Sequence, residues 1–598
     1  MYYPRINAQQ GSRVVTEVFA GYNHNLRIAD GASLSRKKVP LELYFTENLS
    51  TRQYPLLSPR KKRGMLTRTF TNLQAIIAKD ALYWVDNGTL YANGYATGLT
   101  GLQTQQETQL VSMGAYICVF PDGKYINTAD LTDYGSMGAA WSYTGTVSYH
   151  MCHQDGTIYT GNITKSSTAP LEPANGDIWI DISEGAVAKE YSVYTEVWTV
   201  IETVYTRVDF TSTGQVPAAF KEYDGVQITG MYDPDLNGSK ILYAVGGSDD
   251  VEHPVDDYVV LVGIADQTVT ETETVTIERK IPQMDYVCEA QNRLWGCFYG
   301  HIDGVGNVNE IYCCALGDFK NWEQYLGVST DSWRGSRGSD GKFTGCINYL
   351  GTPTFFKENI IHPVSVSPIG AHQIDDIPAR GVQDGCHKSL AVVNETLYYK
   401  SRSGVMAYQG GIPMDVGSAL GDEKYYNAVA GVFGSRYYLS MKDAANVWQL
   451  FCFDAKTALW MREDSLHVEC FAAWSDELYA QSGNHILALN GTEGTPEGIV
   501  DWIAETGILL YAYPDQKYVS RFDLRMSMDR YAKVQLYIEY DSSGLWNFQG
   551  EMKVSRTGSV TVPVRPRRCD HLRIRLEGVG DVQIFSLARN LERGSDVV

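Results

Sequence analysis

Asp233, Asp235 and Asn237, followed by Gly238, form the most specific short pattern in the chain. Oxygen-bearing side chains at alternate positions ahead of a glycine are how a calcium loop begins. Such a loop needs a bidentate acid at its twelfth position, and residue 244 is Ala. The pattern therefore favours an Asp/Asn/Gly turn, with a weak metal site as the competing reading. Acidic doublets occur at Asp249-Asp250, Asp256-Asp257 and Asp375-Asp376. Neighbours on a strand point to opposite faces, so a doublet is not by itself an acid/base pair. His150 and His153 flank Met151-Cys152 in an expected strand, which makes a half-exposed strand the default over a zinc site. No GxSxG, HExxH, P-loop or dinucleotide fingerprint is present,. The sequence thus predicts no enzyme, no catalytic residues and no cofactor.

Two basic clusters are the other candidates. Arg60-Lys61-Lys62-Arg63 lacks flanking aromatics to stack bases and lacks a helix to enter a groove, so a solvated or subunit-contacting role is expected over nucleic-acid binding,. Arg565, Arg567 and Arg568 sit near Asp570-His571, Arg573 and Arg575. Intersubunit salt bridges and cross-strand pairing inside the last domain are both open for that group.

The elements that must carry these residues are strands. The 598 residues are 44% hydrophobic, with 40 Tyr and 56 Gly, which suits a turn-rich β protein of several domains,. Lys388–Gly417 holds three short strands, at Ser389–Val393, Thr396–Lys400 and Val405–Tyr408, separated by Asn394-Glu395 and Ser403-Gly404,. Variants recur as ALYWVDNGTLYAN (81–93), NRLWGCFY (292–299), GSRYYLSM (434–441) and ELYAQSGNHILALN (477–490). Uninterrupted copies are spaced by about 35–50 residues, the period of a propeller blade. The predicted fold is all-β: a β-propeller of four-stranded blades, with an inserted β domain and a C-terminal β-sandwich.

The expected divisions are an extended basic N-terminal arm (1–65), first propeller blades (66–134), an inserted β domain (135–283), the remaining blades (284–499) and the sandwich (500–598). In the arm, the apolar patch Leu41–Phe45 is expected to add a strand to another body. The insertion is expected to be a sandwich or split barrel, with alternating strands at Tyr191–Val208 and Val269–Ile281. Ala315–Trp322 is expected to be a blade hairpin with a packed Trp.

Net charge is −20, and it is uneven: residues 1–70 carry twelve Lys/Arg against four Asp/Glu, so the rest of the chain carries −28. A basic arm that docks on an acidic surface fits that asymmetry. The eleven cysteines contain no CxxC and are expected to be reduced core residues made in a reducing cytoplasm,. The start MYYPRINAQQ has no apolar run of a secretory signal, and no stretch reaches the roughly 18 apolar residues of a membrane span,.

GYNHNLRIADG (21–31), ENLSTRQYPLLSPRKKRG (47–64), GTPTFFKENIIHPV (351–364), RGVQDGCHKSLAVVNETLYYKSRSGVMAYQGGIP (380–413) and RPRRCDHLRIRLEGVGD (565–581) resemble virion structural proteins of tailed bacteriophages and prophages. More distantly, the architecture is similar to the propeller-bearing nozzle or tail-stabilisation proteins of short-tailed phages. The resemblance covers about half of the chain and carries no active-site residues. It implies a virion tail or neck protein in a homo-oligomeric ring, commonly a hexamer, below the portal and adaptor. Genomic DNA would pass through the lumen without sequence-specific binding. The long insertion departs from that pattern. The alternative is a glycan-binding or glycan-cleaving propeller for host-surface recognition, with Tyr and Trp rings stacking sugars.

Overall fold

The computed structural model describes residues 13–25, 40–250, 252, 254–265, 267–367, 371–510 and 516–593. The outer parts of the expected N-terminal arm, 1–12 and 26–39, lie outside the described residues, as does part of the resembling segment 21–31.

The recurring Leu/Tyr-Tyr motif marks one particular strand. Leu82–Asp86, Thr396–Ser401 and most of Arg436–Asp443 and Glu477–Ser482 are buried along their length. A strand reads as a continuous apolar run only when both faces are covered. Here each is the second strand of a four- or five-stranded sheet, and neighbouring sheets cover its two faces. The turns ahead of such strands or behind them hold the register. Asn87-Gly88, Gln291-Asn292 and Asn394-Glu395 have both residues at positive φ, the geometry of tight hairpins,.

Seven such sheets form the propeller. Their first strands are Leu73–Ala78, Gln109–Met113, Tyr286–Ala290, Gly345–Tyr349, Ala391–Val393, Tyr425–Phe433 and Cys470–Trp474. These strands lie side by side around the axis. The blades are numbered 1 to 7 in that order. Shared apolar clusters run round the ring: Val85 with Ile117 joins blades 1 and 2, Phe120 with Leu294 joins 2 and 3, and Trp295 with Phe355 joins 3 and 4. Phe356, Tyr399 and Tyr437 continue through blades 4, 5 and 6, and Tyr438 with Leu478 joins 6 and 7. Trp84 with Tyr479 then joins blade 1 to blade 7.

Closure is made by a strand from the beginning of the chain. Gly64–Met65 pairs with His485–Ala488 on one side and Thr495–Pro496 on the other. A Cβ on Gly64 would lie 1.8 Å from the Glu493 carbonyl oxygen, so only glycine fits there,.

The expected N-terminal arm is therefore corrected over its described residues. Arg13–Tyr22 and Pro40–Glu47 are paired, central strands of a nine-stranded sheet that otherwise consists of 501–593. Pro40–Glu47 holds the patch Leu41–Phe45 and pairs with Asp501–Thr506, while Arg13–Tyr22 pairs with Val582–Arg593. The physical reason is burial: Phe19, Leu41 and Leu43 join Phe522, Ile574 and Leu587 in one sandwich core. Each such side chain gains about 1.5–3 kcal/mol on burial.

The propeller is thus inserted into the sandwich, and a third body is inserted into the propeller. Ala139–Cys152 leaves blade 2 and Gln267–Arg279 returns to blade 3, the two pairing antiparallel from Ala139–Arg279 onward. They are the middle strands of a seven-stranded sheet, with a separate four-stranded sheet beside it. The expected single strand Tyr191–Val208 is corrected to parts of three: Val187–Ser192, Val197–Val200 and Tyr205–Thr213. Glu196 at φ 54 makes a tight turn inside the alternating run, and a turn does not disturb the two-residue period of the sequence,. Ala315–Trp322 forms a turn whose Trp322 is buried. All eleven cysteines are free, and most are buried.

The basic cluster at 60–63 lies where sandwich and propeller meet. Arg63 is buried and binds Glu463 at 3.0 Å and Asp464 at 2.5 Å on the outermost strand of blade 6. Burial opposes its charge, but the two carboxylates more than offset this and raise its pKa further. Burial likewise pushes Asp464 up, and Arg63 more than reverses it, so that carboxyl lies below its usual range. Arg60 donates to Asn48 Oδ1 at 2.7 Å and pairs with both oxygens of Glu497.

Two substitutions test this joint. Gly64→Ala is expected to lower stability by about 1–3 kcal/mol in urea unfolding, through the clash with the Glu493 carbonyl. Arg63→Met leaves the buried Glu463 carboxylate without this cation and is expected to cost about 3–5 kcal/mol,. A loss under ~0.5 kcal/mol for either would show that the joint does not hold the modules together.

Candidate functional site

Antiparallel order places particular loops at one end of the ring. The residues just before each first strand, and the turns between second and third strands, share one face of the propeller. Glu107 precedes the first strand of blade 2, Asp285 that of blade 3, Lys342 and Phe343 that of blade 4, and His387-Lys388 that of blade 5. The Asp122-Gly123 turn of blade 2 joins them. All of these but Lys388 line a cleft of about 920 Å³, together with Phe120, Tyr286 and Tyr299. The stems of the inserted domain, Gly138 and Ile281–Met284, form its rim.

The floor is an ion-paired bridge across the axis. Lys388 Nζ donates to Glu107 Oε1 at 2.8 Å, and His387 Nε2 lies 2.9 Å from the same oxygen. Lys388 also donates to the Glu469 carbonyl of blade 7 at 3.0 Å. The bridge thus ties blades 2, 5 and 7 at the centre. Burial acts to raise the Glu107 pKa, but the hydrogen bonds and charges of His387 and Lys388 win and hold it at about 2. Burial acts to lower Lys388, and Cys470, Glu107 and Glu469 more than offset it, so its ammonium is held above the usual range. Glu107 is therefore an ionised structural partner, unsuited to donating a proton near neutral pH.

The walls are better placed for recognition. Asp285 is pushed up by burial, against the Tyr299 backbone N–H that donates to it at 3.0 Å and the Lys342 charge. Gln109 fixes the Asp285 loop by donating to its carbonyl at 2.7 Å and accepting from Val287 N at 3.2 Å. Asp122 Oδ1 accepts from Gln103 N at 2.9 Å, whereas its Oδ2 and the His387 Nδ1 are buried with no hydrogen-bond partner. Lys357 lies behind the wall, 4.7 Å from the Phe343 ring centre, with its Nζ donating to Ser339 O at 2.8 Å and Asn309 Oδ1 at 3.0 Å. Burial lowers its pKa.

None of the residues singled out in the sequence lies in this cleft. Asp233, Asp235 and Asn237 form a turn around a short 3-10 segment: Asp233 accepts from Asp235 N at 3.0 Å, and Asn237 binds Met231 N and O. The Asn237 amide is thus engaged by its own loop. No group of three or more potential metal-ligating side chains occurs among the described residues. Asp256 is exposed while Asp257 is buried and accepts from Ser212 Oγ and the Gln215 and Val216 N–H groups, so the doublet does divide between faces. Asp249 and Asp250 are exposed, and Asp376 binds His362 at 2.8 Å. His150 is half-buried and His153 is exposed against the Tyr159 ring.

Of the expected subunit contacts, Arg60 and Arg63 are corrected: their ion pairs are internal. Lys61, Lys62, Arg565, Arg567 and Arg568 are exposed, with Arg567 4.9 Å from the Tyr540 ring centre. Arg573 and Arg575 make cross-strand pairs with Glu505 and Glu539, and Arg575 also pairs with Glu577 on its own strand. Sequence reasoning missed Glu107, Asp122, Asp285 and His387-Lys388 as a group. Most of them stand within a few residues of the start of a first strand, a positional signal that emerges once the blades are numbered.

Comparison with known proteins adds little. No protein-family profile matches the chain, and no curated protein matches it. Among solved structures, an exo-β-1,3-galactanase from Phanerochaete chrysosporium is 8% identical with a TM-score of 0.22, covering 50% of this chain and 95% of its own. The extracellular domain of a hybrid two-component system from B. thetaiotaomicron is 11% identical with a TM-score of 0.24, covering 92% of this chain and 98% of its own. A Trypanosoma rangeli sialidase is 9% identical with a TM-score of 0.20, covering 85% and 96%. Likenesses of this size assign no activity to the chain, and none of the three is a virion protein. No helix among the described residues is long and apolar enough to cross a membrane.

The bridge has a pH signature. The Glu107 pKa is depressed on folding, so its contribution to stability is fully present above its ordinary value of 4.5 and lost as pH falls towards about 2,. Its side chain is 42% exposed, so solvent screening limits the contribution to about 1 kcal/mol or less,. Glu107→Gln is expected to be less stable than the parent at pH 7 by that amount in urea unfolding, with the difference vanishing near pH 2. A difference that persists unchanged to pH 2 would mean that the carboxylate charge is not its source.

Proposed function

We propose that the chain is a structural component of a tailed-phage particle, a subunit of a homo-oligomeric ring in the tail or neck around the DNA exit channel. One observation carries this reading: the segments that resemble virion proteins are chiefly the parts that weld the bodies of this chain together. In GYNHN, Tyr22 packs into the propeller core and His24 N–H donates to Ala419 O at 2.8 Å. ENLSTRQYPLLSPRKKRG spans the sandwich–propeller joint, where Thr51 donates to Asp454 at 2.9 Å and Arg63 binds its two acids. The 380–413 segment builds blade 5 and supplies His387-Lys388 to the central bridge. A resemblance that includes the joints and the central bridge favours a role in which the bodies are held together as one unit.

In this reading the ring assembles in the host cytoplasm and functions in the virion, with portal, adaptor or other tail proteins as neighbours. Lys61, Lys62, Arg565, Arg567 and Arg568 are exposed cations at which copies would meet, on a body of net negative charge. That negative charge also lets DNA pass without sticking.

A second reading, a glycan-binding propeller for host-surface recognition, is favoured by the cleft with its aromatic wall and unmet polar atoms.

Light scattering of the purified chain decides the first reading. A discrete ring near six subunits that loosens at high salt is expected, either alone or on adding the portal–adaptor complex. Reversing Lys61, Lys62, Arg565 and Arg567 to Glu is expected to weaken assembly about tenfold or more with little change in melting temperature. A chain that stays monomeric at every salt concentration, with those partners present, counts against a ring.

A further inference from the structure

The cleft has features that a structural ring does not require. Its volume of about 920 Å³ lies in the range of ligand sites,. Tyr286 is half-buried and Tyr299 44% exposed in the lining, with Phe120 and Phe343 buried behind them. Buried polar atoms are ordinarily satisfied. Here two of them, Asp122 Oδ2 and His387 Nδ1, stand in the lining without a partner.

The charges narrow the ligand. Asp122 and Asp285 contribute carboxyl groups to the lining. The basic side chains there are already engaged: Lys342 with Asp384 at 2.9 Å and His387 with Glu107. A ligand carboxylate would meet acids without a free cation opposite, at an energetic cost. A neutral sugar offers O–H donors to Asp122 and apolar C–H faces to the aromatic wall. An amino sugar adds a charge-assisted hydrogen bond.

The geometry points to this cleft as a binding site for a neutral or amino-bearing oligosaccharide, with Asp122 accepting from a ligand hydroxyl or amine and Tyr286 and Tyr299 stacking on the sugar faces. This rests on the second reading above. Asp122 and Asp285 are held on different blades by separate backbone anchors, Gln103 N and Tyr299 N, so the two acceptors keep a fixed spacing without a ligand. Such preorganisation reduces the entropy lost on binding.

The test uses the full chain on an array holding neutral, amino-bearing and acidic oligosaccharides, followed by titration calorimetry on the strongest hits. Neutral or amino sugars are expected to bind and sialylated or uronic ones not to. Asp122→Asn and Tyr299→Ala are each expected to weaken binding about tenfold or more at unchanged melting temperature. Should Asp122→Asn not fold, the exposed Tyr299 ring decides alone. Binding that neither variant affects overturns the site while leaving the glycan reading standing, and selective binding of acidic sugars overturns the charge argument. No binding across the array overturns both the site and the reading.

Discussion

The ring of blades must close, and it closes through two residues. Gly64–Met65 is held between His485–Ala488 and Thr495–Pro496, in the last blade, more than four hundred residues later in the chain. Until that pairing forms, blades 1 and 7 leave Trp84 and Tyr479 exposed, because neither sheet can cover its own faces,. The Arg63 ion pairs stand immediately beside the closing strand. Closure and the sandwich joint are therefore one event, made by one stretch of chain.

Nested insertion follows from this. The sandwich takes strands from both sides of the propeller, and the propeller opens between blades 2 and 3 for the inserted domain. Each body is entered and left by paired strands, which limits hinge motion between bodies. Lys221 binds Asp318 at 2.7 Å, and Gly225 N donates to Asn321 Oδ1 at 3.1 Å, so the inserted domain also rests on the long loop of blade 3. Contacts of such sequence separation slow folding, since loop-closure entropy is lost before the contacts form.

The blades were legible because their chemistry is local. Asn394-Glu395 turns between two apolar runs, and the doubly covered second strand leaves its Leu/Tyr-Tyr trace in each repeat. The arm was not legible, because Arg13–Tyr22 finds its partners at Val582–Arg593 and no local pattern records that distance. The Leu41–Phe45 patch signalled a strand but not its sheet. The four basic residues at 60–63 look alike in sequence, yet Arg63 is buried, Arg60 half-buried and Lys61 and Lys62 exposed, a division set by the turn of the backbone. The cleft was hidden for the opposite reason: its acids are single residues on separate blades, and only ring closure brings them together.

The cleft and the inserted domain share a physical boundary. Gly138 and Ile281 stand on the rim where the domain leaves and re-enters the propeller. Arg279, next to that exit, is buried against Asp224 and donates to the Met137 carbonyl at 3.2 Å. Burial pushes the Asp224 carboxyl up despite the Arg279 charge, so the pair is held by packing as much as by attraction. The Glu107–Lys388 bridge, on the floor of the cleft, joins blades 2, 5 and 7 on the same face. The cleft lining and the bracing contacts therefore meet at one residue, His387, which stands in the lining and pairs with Glu107.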